Sequence, residues 1–266
     1  MSANQISSKT KIGLLVAAHF AAGVSLASAV QADIARVGWL ALVLADAGLM
    51  GIWGGLGTTR IAWRVPMVFA MTSALSAICI TAMRAWDNAG RATVTFVLVA
   101  LPTALICGVL CRLRLGRRRL RFARLSNVSP TCEGFQFSIR HLFLATTAVA
   151  IILAIGREMR TDSISVWAAT LAVATFTPCV IMVELATLWA ALGIGRPALR
   201  LAAVLPTAFV VGLIPPFYTE EPVRSKLATF VIFSVIFGLQ ATILAISLLV
   251  FRSCGWRLVS GDRSTP

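Results

Sequence analysis

Apolar and polar positions alternate along this chain in stretches of about twenty residues, not in steps of two or four. Uninterrupted apolar blocks occupy roughly 12–30, 38–58, 65–83, 92–111, 165–193, 201–218 and 228–251. A helix crosses the hydrocarbon core of a bilayer in about 20 residues, so each block predicts a span. An eighth block, 141–156, is short, but Phe135, Phe137 and Ile139 extend it and Arg140 is placed to reach the headgroups. The pattern predicts an all-α polytopic transmembrane bundle of about eight spans.

The first block has a second reading. Lys9 and Lys11 precede an apolar run that ends in small residues at Ala27-Ser28-Ala29, which resembles a secretory signal peptide. The run is long for a signal peptide, which favours a retained span. Cleavage would leave seven spans and the same topology for the rest.

Basic residues set the orientation. With eight spans and the N-terminus inside, seventeen Lys and Arg fall in inside segments and seven in outside loops. Basic residues are enriched in cytoplasmic loops, so both termini are expected in the cytoplasm.

Composition agrees with the pattern. The chain of 266 residues is 58% hydrophobic and 13% charged, about half the charged fraction of ordinary globular domains. The net charge of +14 raises nucleic acid as a partner. However, eight basic residues sit within 112–140, nearly all the others flank spans, and no nucleic-acid-binding motif is present. The partner expected is instead the bilayer itself, with its anionic headgroups, and beyond it a membrane protein or a second copy of the chain. The six cysteines show no disulfide spacing; Cys107 and Cys111 share a helix face, but nothing supplies the other ligands a metal would need.

WGGLGTTR at 53–60 returns as WAALGIGR at 189–196, an offset of 136. Without a gap, that offset also places Ala62 on Ala198, Arg64 on Arg200, Val68 on Val204, Ile78 on Ile214, Ala92 on Ala228 and Thr93 on Thr229. A duplication is the natural reading. It divides the chain into a first four-span repeat (1–111), a basic cytoplasmic linker (112–136), a second four-span repeat (137–251) and a cytoplasmic tail (252–266). An even number of spans per copy makes the repeats parallel, related by an axis along the membrane normal.

Two acidic residues lie deep in apolar blocks, Asp46 and Glu184, each in the span that ends at the repeated motif. Counted along a helix, they stand about 7–11 Å from Trp53 and Trp189. A carboxyl at that depth costs about 2.5–3.5 kcal/mol, which the surrounding Leu, Ile and Val side chains offset. Such acids face a bundle interior or a wet cavity. The functional reading is a proton- or cation-handling pair between the halves; the bland one is helix packing through a polar contact. Asp46 stands seven residues before its tryptophan and Glu184 five, so their equivalence requires an indel or a kink, for which Pro178 is a candidate.

Ala47, Gly51 and Gly55 form a small-residue ridge suited to close helix contact. His19 and His141 invite a haem reading, but they lie at different depths, and no cofactor is expected. In the linker, Arg114, Arg117, Arg118 and Arg121 would share one helical face if the fourth helix continued, forming a lipid-headgroup contact worth about 1 kcal/mol per charge. No nucleophile elbow, zinc-protease motif, phosphate loop or dinucleotide fingerprint is present.

The stretch FQFSIRHLFLATTAVAIILAIG, 135–156, resembles a segment recurring in uncharacterised planctomycete-type membrane proteins, with His141 where leucine is usual. The resemblance implies a bacterial inner-membrane protein of no known activity. The sequence therefore points to a non-enzymatic structural or regulatory component of a membrane complex. The alternative is a small proton- or cation-linked transporter or channel using Asp46 and Glu184.

Overall fold

The computed structural model describes residues 8–28, 33–57, 60–82, 89–115, 120–124, 164–193, 196–212 and 223–260. Seven helices form among them: α1 (Ser8–Ser28), α2 (Asp33–Leu56), α3 (Ile61–Ala82), α4 (Ala89–Leu115), α5 (Ile164–Leu192), α6 (Pro197–Val211) and α7 (Val223–Ser253). Five of them contain stretches long and apolar enough to cross a membrane: Val37–Leu56, Ala62–Thr81, Phe96–Leu113, Thr175–Leu192 and Leu227–Ser253. The outside of the bundle is apolar: Trp63 and Phe69 on α3 are 71% and 70% exposed. Water would penalise such a surface and lipid does not. The chain is a polytopic membrane protein.

The first helix, α1, has 21 residues, and one expected span is shorter than its block. α6 begins at Pro197, which suits the first helical position, and ends at Gly212, ahead of Pro215-Pro216. Its 15 residues rise about 22 Å, short of the core thickness. The block 141–156 lies outside the described residues.

Side-chain contacts fix the helix directions. Gly51 meets Thr103 and Ile106, Gly54 meets Cys107, and Gly55 meets Leu110, so α2 and α4 run parallel. The small-residue ridge thus serves packing against α4. Gln240 bonds Glu184, while Arg252 bonds the carbonyls of Ala191 and Gly193, so α5 and α7 also run parallel. Ile52, Leu56, Leu110, Leu188, Leu192, Leu244 and Leu248 share one buried cluster, which brings all four C-terminal ends together. Helices α1, α3 and α6 run the other way: Gly23 meets Leu42 while His19 meets Asp46, Arg64 reaches back to Gly54, and Gly212 meets Ser234.

At that common end a two-stranded antiparallel ribbon joins the linker to the tail, β1 (Leu120–Arg124) with β2 (Trp256–Ser260). The expected single helical face of arginines is therefore corrected. α4 stops at Leu115, Arg121 lies in a strand opposite Val259, and Arg117 and Arg118 fall outside the described residues. Only Arg114 continues the helix. The turn into β2 uses Gly255 at φ 87°, a left-handed position that glycine adopts without a Cβ clash.

Candidate functional site

Asp46 and Glu184 do not meet. Asp46 and Gly48 are two residues apart, about 200° around α2, and they face different neighbours. On one side, Asp46 Oδ1 lies 2.5 Å from His19 Nδ1 of α1. The far ring nitrogen, Nε2, lies 2.9 Å from Ser247 Oγ of α7. The Ser247 hydroxyl donates to Ile243 O at 2.8 Å. Having given its one hydrogen to that carbonyl, it accepts from the imidazole. A three-helix tie results: α2 to α1 to α7.

The order Ser–His–Asp matches a hydrolase triad, but the chemistry does not. Ser247 is fully buried, and its hydrogen points back along its own helix. The surrounding α7 backbone is continuous helix, so its amides are engaged and offer no oxyanion site. The arrangement ties three helices together through one imidazole.

On the other side, Glu184 of α5 is 1% exposed and Gln240 of α7 is fully buried. Gln240 Nε2 donates to Glu184 Oε1 at 2.8 Å. Among the described residues, Glu184 Oε2 and Gln240 Oε1 have no partner. The carboxyl lies against bare backbone: a Cβ added at Gly48 would sit 2.5 Å from Glu184 Cδ. Glycine is required here because the acid occupies the side-chain position.

The repeated motif adopts one geometry twice. Gly57 N–H donates to Trp53 O at 2.7 Å, and Gly193 N–H donates to Trp189 O at 3.0 Å. In each copy an arginine of the next helix covers the glycine: Arg64 over Gly57, Arg200 over Gly193. Arg64 Nη1 donates to Gly54 O at 2.7 Å, while Arg200 stacks its guanidinium 4.5 Å from the Trp189 ring centroid. Arg252 covers the end of α5, and Arg257 Nη1 donates to Arg252 O at 2.7 Å at the end of α7. Burial draws the Arg257 guanidinium below the ordinary arginine value. Cations at helix C-termini meet free carbonyls and the negative end of the dipole.

Sequence reasoning found both acids and missed their partners. In the sequence His19 suggests only a haem ligand, and its counterpart His141 lies outside the described residues. Gln240 carried an available signal, since it is the one amide in the block 228–251. Among the described residues no group of His, Cys, Asp and Glu is arranged to hold a metal. No family model, curated protein or solved structure matches the chain.

Proposed function

We propose that the protein is a non-enzymatic, multi-pass component of a bacterial inner membrane, with a structural or regulatory role in a membrane assembly. One observation carries this reading. The two intramembrane acids are each consumed in a separate helix-to-helix tie, on different sides of α2, instead of facing each other across a cavity.

The bundle is built from two parallel four-span halves. The offset of 136 that aligns the two tryptophan motifs carries the α2 end at Leu56 onto the α5 end at Leu192. It carries the α3 start at Ile61 onto the α6 start at Pro197. It also carries β1 onto β2 at both ends, with Arg121 on Arg257. The ribbon register supports a two-fold relation: Phe122 pairs with Leu258, its own counterpart, and the flanking pairs exchange symmetrically about them. Glu184 meets Gly48, again its own counterpart. Residues that touch their equivalents lie on the axis relating two copies, so the axis passes through the ribbon and between α2 and α5.

The eighth span has support in the chain's endpoints. Arg124 belongs to the ribbon end of the bundle. Ile164 starts a 29-residue helix directed toward that end, about 42 Å away. The described residues Arg124 and Ile164 thus stand at opposite ends of the bundle, which supports reading 141–156 as a span. The basic ribbon end is the cytoplasmic one on the charge rule, and the position of Arg114 and Arg121 at that end supports a role in contacting anionic headgroups.

The competing reading is proton- or cation-linked transport through Asp46 and Glu184. Purified protein in vesicles carrying an internal pH dye separates the two. The expected result is an imposed pH gradient that decays no faster than in protein-free vesicles, for the wild type and for Asp46→Asn and Glu184→Gln alike. A faster decay in the wild type that both substitutions abolish would establish transport and overturn the structural reading.

A further inference from the structure

We propose that Glu184 and Gln240 form a binding site for one exchangeable proton, carried on Glu184 Oε2 where α2, α5 and α7 meet. Hydrogen-bond bookkeeping leads there. With Glu184 as an anion, both Glu184 Oε2 and Gln240 Oε1 are buried acceptors with no donor among the described residues. Each buried orphan of that kind costs about 1–3 kcal/mol, and more for a charged group. A hydrogen on Oε2 turns one of the orphans into the donor that the other lacks. The acid and the amide then exchange two bonds, Gln240 Nε2 to Glu184 Oε1 and Glu184 Oε2 to Gln240 Oε1. One proton satisfies both atoms and removes the buried charge.

The surroundings select a proton over a metal ion. Hard cations take about six to eight oxygen ligands, whereas this site offers two orphan oxygens. Gly48 leaves no further room, since an added Cβ would lie 2.7 and 2.8 Å from the two carboxyl oxygens.

Among the described residues, no neighbouring charge supplies a counterion. Asp46 on α2 is turned to His19. On α6, Arg200 stacks on Trp189. At the end of α7, Arg252 bonds Ala191 O and Gly193 O, about 18 Å along the helix from Gln240. Arg257 on β2 bonds Arg252 O and Trp256 O. On α4, the Cys107 and Cys111 thiols lie against Gly54 and Gly55, and Arg112 is exposed. Cys179 on α5 itself is buried five residues away. Asp33, Arg36, Arg91, Arg224 and Lys226 belong to the opposite ends of their helices. Among the described residues the one ion pair is His19–Asp46.

The site does not depend on whether the protein transports anything. Its readout is the bound proton, not a flux, so it can fail while the structural reading stands, and the reverse. Infrared difference spectroscopy on the full chain at neutral pH, wild type against Glu184→Gln, tests it. The expected difference is the carbonyl band of one neutral carboxyl, shifted in heavy water and displaced again in Gln240→Leu. A difference made only of carboxylate bands would overturn the proposal. If Glu184→Gln folds poorly, Gln240→Leu decides instead: the neutral-carboxyl band of the wild type at neutral pH must move in that variant. Its absence at neutral pH would equally overturn the site.

Discussion

Gly48→Ala is expected to lower the thermal stability of the detergent-solubilised protein by about 1–3 kcal/mol, the usual cost of overpacking a filled core. Helix propensity alone predicts the opposite sign, because alanine is better than glycine in a helix by about 1 kcal/mol. The clash should win, because the added methyl would stand 2.5 Å from the Glu184 carboxyl carbon. That carboxyl is held from the other side by Gln240. Adding Glu184→Ala to Gly48→Ala should return most of the loss, since the methyl then occupies the vacated space. Melting temperatures of the four proteins in that cycle give the coupling directly. Independent, additive effects of the two substitutions would show that Glu184 does not rest on α2.

His19→Ala is expected to loosen α1 more than any other part of the bundle. α1 presents Leu14, Val16, Phe20 and Val24 outward, and its polar anchor is the imidazole that joins Asp46 to Ser247. Hydrogen bonds to charged partners contribute about 1.5–3 kcal/mol, and polar contacts in membranes average less, about 0.6. Because both His19 and Asp46 are partly exposed, the lower part of that range applies. Amide exchange in α1 should then rise about 3- to 30-fold while α5 and α7 change little. Asp46→Asn, which keeps a hydrogen-bond partner for the ring, should have the smaller effect. Unchanged exchange in α1 of His19→Ala would mean that apolar packing alone holds the helix.

What could be read from the sequence follows from what the bilayer dictates. Span positions were legible, as 38–58 against Asp33–Leu56 shows, because the length of an apolar block is set by the hydrocarbon core. The motif repeat was legible because Trp, Gly and Arg are rare enough in such a chain for their spacing to carry information. The ribbon was not. LRFAR does alternate as a strand would, but a run of arginines after a helix reads equally as its continuation. The partners of the acids were hidden for a different reason. These helices are apolar on nearly every face, so no periodicity says which face meets which neighbour. One clue was present: the counterpart of Glu184 at the offset of 136 is Gly48, not Asp46. The mismatch in spacing from the tryptophans, which suggested a kink, records instead two acids with unrelated partners.

On the proposed parallel-halves architecture, Arg124 in the ribbon and Ile164 at the start of α5 stand at opposite membrane faces. Site-directed labelling tests this most directly. Ser126→Cys and Thr161→Cys are introduced singly into the full chain with its native cysteines replaced, then exposed to an impermeant maleimide in intact spheroplasts and in inverted membrane vesicles. Ser126→Cys should label only in inverted vesicles and Thr161→Cys only in spheroplasts. Labelling of both positions from the same side would contradict the parallel-halves architecture.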